Sequence, residues 1–239
     1  MDIALIGYGK MGKAIEKIAI ERGHNIVCII DSHDAEKFDS EEFKKADVAI
    51  EFSMPAVAVD NYKKAFSKGV AVVSGTTGWL DKLHDVKKMC EDNNATFFYS
   101  SNFSIGVNIF FAVNEYLAKI MNRFSQYDVS IKEIHHVHKL DHPSGTAISI
   151  AEGIERNIDR KSGWTEGDAG SSLIHIESER IGEVPGTHIV EYASGVDAIR
   201  IEHEAFSREG FALGAVVAAE WLKGKKGWFT MNDMLKFND

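Results

Sequence analysis

Residues 3 to 12 read Ile3-Ala4-Leu5-Ile6-Gly7-Tyr8-Gly9-Lys10-Met11-Gly12, and the fold expected of this chain follows from them. Four consecutive apolar residues suit a strand buried on both faces of a parallel sheet. The next ten residues, Lys13 to Arg22, carry Ala14, Ile15, Ile18 and Ala19 at helical spacing, and Gly23 stops them. Asn25 to Ile30 is a second apolar run, closed by Asp31. In this strand-helix-strand setting, G-x-G-x-x-G becomes a specific dinucleotide fingerprint. Gly7 allows the tight turn, Gly9 the approach of a pyrophosphate, and Gly12 the packing of helix on strand. The whole turn, Tyr8, Lys10 and Met11 included, is the expected cofactor-binding segment. Asp31 lies 19 residues beyond Gly12. At that distance a carboxylate accepts hydrogen bonds from an adenosine ribose and repels a 2′-phosphate. Only Ser32 and His33 follow it, with no arginine. The cofactor expected is therefore NADH or NADPH, with NADH favoured or both used.

The alternation continues through a strand over Ala46–Phe52, a helix from Ser53-Met54-Pro55 to about Ser67, and a strand over Val70–Ser74. A helix near Asp81–Asn93 then leads into Thr96–Tyr99. Ligands of open parallel sheets bind at the carboxyl ends of strands. That places Gly75-Thr76-Thr77-Gly78 and Ser100-Ser101-Asn102-Phe103 at the expected site. After Asn102 the rhythm changes to a long apolar helix, Val107–Phe124, and a strand, Tyr127–His135. A helix over Ala147–Ile158 and a polar loop over Arg160–Ser171, anchored by Trp164, come next. Leu173–Arg180, His188–Ser194 and Ala198–Phe206 alternate as strands of one sheet. Phe211–Leu222 is a helix too apolar to face solvent. The fold class is α/β, a Rossmann-type nucleotide-binding domain joined to an α+β domain with a mixed sheet.

A second stretch, Glu133-Ile-His135-His136-Val-His138-Lys139-Leu-Asp141-His142-Pro143-Ser144-Gly145-Thr146-Ala147, holds four of the ten histidines. Ser144 is a natural helix N-cap, and an N-terminus opening at Gly145 and Thr146 offers N–H groups and a positive dipole end to an anion. With imidazole and ammonium groups beside it, the arrangement suits a small carboxylate-bearing ligand and a proton donor. A purely structural loop with satisfied histidines is one alternative, and a zinc site another, since His138 and His142 stand four apart. Pro143 opposes the zinc site, because the residue before a proline leaves the helical region.

Composition narrows the classes further. A formal net charge of −9 without a Lys/Arg cluster disfavours nucleic acid, and any attraction for an anion has to be local. Two cysteines, Cys28 and Cys90, lie far apart and suggest neither a disulfide framework nor a thiolate metal site. No apolar run reaches the roughly 20 residues of a membrane helix, and a cytoplasmic location is expected.

The pattern E-x-H-H-x-x-K-x-D-x-P-S-G-T-A, here Glu133 to Ala147, resembles the signature of the 4-hydroxy-tetrahydrodipicolinate (dihydrodipicolinate) reductase family. The likeness extends from Ile3 to Gly227-Trp-Phe-Thr-Met-Asn-Asp-Met-Leu235. It implies NAD(P)H-dependent reduction of the dehydrated substrate at ring C4, in lysine and diaminopimelate biosynthesis. His135 would be the general acid, assisted by Lys139. His136, Ser144, Gly145 and Thr146 would bind the dicarboxylate substrate. Gly75, Thr76 and Thr77, with Ser100, Ser101, Asn102 and Phe103, would meet the nicotinamide, although the family more usually has alanines at 100 and 101. The resemblance also implies a homotetramer; no metal, nucleic acid or membrane partner is expected on the grounds given above. It divides the chain into a discontinuous nucleotide domain, 1–103 with 209–239, and a substrate and oligomerisation domain, 104–208, with Arg208 near the hinge. Two rivals remain: a regulator that binds NAD(H) and a dicarboxylate without turnover, and a relative of aspartate-semialdehyde or homoserine dehydrogenase. The former would not need His135 and Lys139 together, and aspartate-semialdehyde chemistry would want a catalytic cysteine.

Overall fold

A computed structural model describes residues 1–207 and 209–236. Arg208, expected near a hinge, lies outside the described residues. The chain divides into two compact units, Met1–Ile105 with Glu209–Asp239, and Gly106–Arg208. Among the described residues no helix is long and apolar enough to cross a membrane.

In the first unit, β1 (Asp2–Ile6), β2 (Asn25–Ile30), β3 (Val48–Glu51), β4 (Ala71–Ser74), β5 (Thr96–Tyr99) and β11 (Gly227–Phe229) form one parallel sheet in the order β11-β5-β4-β3-β1-β2. The helices between them are α1 (Lys10–Glu21), the short α2 (Glu41–Lys44), α3 (Pro55–Ser67) and α4 (Leu83–Asp92). β1 has β2 on one side and β3 on the other, so the winding reverses there. A crevice opens at such a reversal, outside the carboxyl ends of the strands. The two faces of the sheet are closed by separate apolar clusters. One contains Phe43, Tyr62, Trp79 and Phe97, and the other Ile15, Ile50, Phe98 and Phe103 together with α7 (Glu209–Leu222). Ala212, Ala215, Val216, Ala219 and Leu222 are fully buried in that second cluster, the environment that an all-round apolar helix requires. Gly214 lies against the backbone of Phe103, where a Cβ would meet the carbonyl oxygen at 1.7 Å. The short α8 (Met231–Leu235) closes the unit.

The second unit is built on a mixed sheet, β10-β9-β6-β8-β7, with β6 (Asp128–His135), β7 (Trp164–Thr165), β8 (Ile174–Arg180), β9 (Gly186–Ala193) and β10 (Ala198–Ala205). β6 pairs parallel with β8 and antiparallel with β9. Its burial alternates strictly, so Val129, Ile131, Glu133 and His135 share the inner face. On that face lie α5 (Ile105–Met121) and α6 (Gly145–Glu155), which supply Phe110, Ala118, Met121, Ile150 and Ile154 to the core. Gly153 of α6 lets the helices approach, since a Cβ there would meet Glu115 Cγ at 3.2 Å. The outer face carries charged pairs. Lys132 binds Glu179 at 2.5 Å, and Arg200 pairs with Glu191.

Several element boundaries move. α1 starts at Lys10 rather than Lys13, and α6 at Gly145 rather than Ala147, because Gly9 and Ser144 are the N-caps. The polar loop anchored by Trp164 contains a two-residue strand, and Lys161 within it is buried, its ammonium donating to the carbonyls of Ser171 and Leu173 at 3.1 and 2.7 Å.

Candidate active site

In the first unit, the fingerprint glycines divide their tasks by geometry. Gly7 has φ +88°, and a Cβ there would meet the Phe52 carbonyl oxygen at 2.1 Å. Gly12 abuts the Gly7 carbonyl, at 2.3 Å from a hypothetical Cβ. Gly9, in contrast, has nothing within 4 Å, so the approach to the N-terminus of α1 is open. No side chain caps that terminus and no acidic residue stands in its first turn. Its outward N–H groups are therefore available to a phosphate. Beside it, Gly7, Tyr8, Gly9, Asp31, Phe38, Phe52, Ser53 and Asn61 line part of a cleft of about 380 Å³. Asp31 Oδ1 accepts from the Ser32 N–H at 2.8 Å, which orients the carboxylate at the exposed end of β2. Lys10 and Met11 occupy the first turn of α1. An open glycine, a bare helix start and a cleft-lining carboxylate together fit a dinucleotide. Phe38, Asn61 and Lys64 also line the cleft. No local motif marked them, because they reach it from a 3-10 turn and from the middle of α3.

The two neighbouring loops are organised from below by a buried carboxylate. Glu51, fully enclosed at the end of β3, accepts from Ser53 Oγ and, at 2.7 Å, from Ser74 Oγ. Tyr62 OH lies 2.7 Å from Ser74 Oγ, and Asn61 Nδ2 donates to Ser53 Oγ at 3.2 Å. Thr76 Oγ1 accepts the Ser53 N–H at 2.9 Å. Several side chains expected to face a cofactor are thereby committed elsewhere. The Thr76 hydroxyl points into this network, Ser100 Oγ donates to the Asn102 carbonyl at 2.6 Å, and Asn102 Oδ1 accepts the Ser104 N–H. Phe103 is buried against Phe52 and Phe98. Gly75 packs on the Phe52 ring, whereas Thr77 and Ser101 are exposed. At these loops the backbone, Thr77 and Ser101 are what a ligand could meet.

In the second unit, the inner face of β6 delivers Glu133 and His135 to the N-terminus of α6. One Glu133 oxygen receives His135 Nδ1. The other accepts from Arg180 Nη1 at 2.9 Å and from the Ser144 N–H at 3.3 Å. Burial opposes ionisation of Glu133, but the bonds from His135 and Arg180 outweigh it and hold the carboxyl down to about 2. Ser144 caps α6 by accepting the Ala147 N–H at 3.2 Å, and its Oγ lies 3.2 Å from Nε2 of buried His188. Burial, and then the neighbouring His135, push His188 down to about 3, so it is neutral at ordinary pH. Gly145 is exposed with open space around it, and Thr146 is half-buried in the same turn. Lys139, in the loop between β6 and α6, pairs with Asp141 at 2.8 Å. Arg180 fastens that loop by donating to the Asp141 carbonyl at 2.6 Å. His136 begins the loop, its ring 6.0 Å from that of His138.

The zinc alternative lacks its geometry. Residues 136–144 form no helix, and His138 and His142 turn to different carboxylates, Glu183 at 3.0 Å and Glu166 at 3.7 Å. Glu133, His135 and His188 do bring ligand atoms within 4.8 Å of one another. Both Glu133 oxygens are already filled by N–H donors, however, and a guanidinium sits beside them, which is the setting of an ion pair.

A parallel sheet with a glycine-gated helix start and a second unit presenting an imidazole beside an open helix N-terminus fit a pyridine-nucleotide oxidoreductase. The family profiles for the N-terminus and C-terminus of dihydrodipicolinate reductase match residues 1–103 and 106–235. A 4-hydroxy-tetrahydrodipicolinate reductase of Christiangramia forsetii is 49% identical over 235 residues, covering 98% of each chain. One from Archaeoglobus fulgidus is 36% identical, covering 99% of this chain and 100% of its own. The solved structure of a dipicolinate-bound dihydrodipicolinate reductase from Paenisporosarcina shares the fold, with a TM-score of 0.77 at 21% identity over 96% of this chain and 97% of that one. The chain belongs to the dihydrodipicolinate reductase family.

Proposed function

We infer that the chain catalyses NAD(P)H-dependent reduction of 4-hydroxy-tetrahydrodipicolinate, through its dehydrated form, to tetrahydrodipicolinate in lysine and diaminopimelate biosynthesis. The observation that carries this is family membership across both units, with a dinucleotide cleft in one and the Glu133-anchored histidine in the other. A nicotinamide held there would supply a hydride to the conjugated ring. Negative charge then develops on the substrate, and His135 quenches it by giving up a proton. Lys139 lends a cation to the same region. The N–H groups of Gly145 and Thr146, the Thr146 hydroxyl, Ser144 and His136 hold the carboxylates. Gly7 to Gly12 seat the pyrophosphate, and Asp31 takes the ribose hydroxyls, which favours NADH or leaves both nucleotides usable.

As the family implies, the chain assembles as a tetramer through the sheet of the second unit. The outer face there carries Lys132, Glu177, Glu179, Glu191 and Arg200, whose charges pair within the chain. The activity is tested by adding the product of a dihydrodipicolinate synthase reaction to protein and NADH and following the near-ultraviolet absorbance of the reduced nicotinamide. An absorbance unchanged by the substrate, with NADH or NADPH, refutes the assignment. A regulator that binds both ligands without turnover would give that result.

A further inference from the structure

We propose that Glu133 is a positioning residue that holds His135 with Nδ1 protonated and turned inward, leaving Nε2 as the atom that delivers the proton. The proposal deepens the reading above and rests on His135 being the acid. Glu133 is fully buried, two residues before His135 on the same face of β6. A carboxylate only accepts, so the His135 nitrogen against it must carry hydrogen in both charge states of the ring. Of the two neutral tautomers, one is thereby selected. The other nitrogen, Nε2, points toward Gly186, the residue on β9 with no side chain to cover it.

The groups facing His135 act in different directions. Glu133 stabilises the imidazolium by a charge-assisted bond. Arg180, from β8, is a cation paired with the same carboxylate, and Lys139, from the following loop, is paired with Asp141. Arg180 spends its charge largely on Glu133 itself, which keeps that carboxylate ionised. His188, from β9, stands edge-on to His135 with centroids 5.1 Å apart, and as a neutral ring it adds no second positive charge. Ser144 contributes its N–H to Glu133 and its hydroxyl to His188. One carboxylate thus fixes the acid, and through Ser144 and Arg180 it also fixes the start of α6 and the Lys139 loop.

A carboxylate that only braced the loop would leave the proton chemistry of His135 untouched, and this difference is measurable. In the Glu133→Gln variant the shape is kept and the charge removed. The pH at which kcat/KM declines toward alkaline conditions should move to lower pH by about one unit, with NADH binding unchanged and the acid-side plateau approached. A uniform fall at every pH with an unmoved midpoint overturns the proposal. His135→Gln, run in parallel, separates the underlying reading. If it retains the wild-type profile, His135 is not the acid, whereas if it loses the profile and the Glu133→Gln midpoint stays, only the positioning role fails. Should Glu133→Gln not fold, ¹⁵N resonances of His135 in wild-type protein decide. Hydrogen on Nδ1 in the neutral ring is expected, and hydrogen on Nε2 overturns the proposal.

Discussion

Gly186 on β9 approaches His135 on β6 so closely that a Cβ added to the glycine would lie 2.9 Å from the ring's Nε2. The ring cannot swing aside without giving up Glu133, so the space is kept open by the absence of one methyl group. Gly186→Ala should lower kcat/KM by about 10²-fold, the size of effect expected when a reacting group is displaced by roughly 1 Å. The φ of +156° adds backbone strain, so the unfolding midpoint and NADH affinity are measured alongside. Near-wild-type turnover would mean that Nε2 is not the working atom.

Asp31 predicts the nucleotide preference. Wild type should use NADH at least as well as NADPH, and Asp31→Ala should narrow or reverse the ratio by removing repulsion of the 2′-phosphate. A tenfold advantage for NADPH in wild-type kcat/KM, about 1.4 kcal/mol, would contradict the role given to this carboxylate.

The anion seat is tested with pyridine-2,6-dicarboxylate, a planar dianion of about the substrate's shape, as a competitive inhibitor. Thr146→Val removes one hydroxyl donor to a charged acceptor, a loss of roughly 1.5 to 3 kcal/mol when desolvated. Lys139→Met should cost more, because its Asp141 partner is left in place as a bare negative charge. Equal inhibition constants in wild type and both variants would remove the seat from this helix start.

Acid stability depends on which buried group takes up protons first. His188 is depressed from an ordinary 6.5 to about 3, so unfolding binds a proton between those values and stability falls as pH drops through that window. Glu133, held at about 2 instead of 4.5, contributes stability that is complete above 4.5 and lost as pH falls from there toward 2. Between about pH 6.5 and 4.5 the slope therefore belongs to histidine, at most about 1.4 kcal/mol per pH unit for one site. His203, also depressed by burial, adds to it. Urea midpoints of His188→Gln should vary less over this range than those of wild type; an unchanged slope would assign the acid sensitivity to other groups.

What was legible in the sequence was whatever has a local period or a short motif. The fingerprint placed the first crevice, and the alternation of Tyr127–His135 marked the strand that leads into the histidine-rich loop; that Glu133 and His135 share its inner face comes from the structure. The stretch from Ala35 to Lys44 was not legible, since its two buried aromatics, Phe38 and Phe43, are five residues apart and fit neither period. Arg180 and His188 were read as ordinary strand residues. They reach the site through strand pairing, 47 and 55 residues along the chain from Glu133, where no spacing rule operates. The hydroxyls of Thr76 and Ser100 bond within the protein, which the sequence does not reveal. A small polar residue in a loop can satisfy a ligand or its own backbone, and only coordinates distinguish them.

The position of α7 bears on how the molecule is made. α7 fills one face of the first sheet and leans on Phe103, yet it leaves the ribosome after the whole of the second unit. At the usual pace of synthesis, about 5 to 20 residues per second, the opening strands must wait for most of the chain with that face uncovered. The second unit is contiguous and emerges whole, so it can reach its native state first. A nascent chain from which the second unit has fully emerged but α7 has not would therefore carry a folded second unit and an unfinished first.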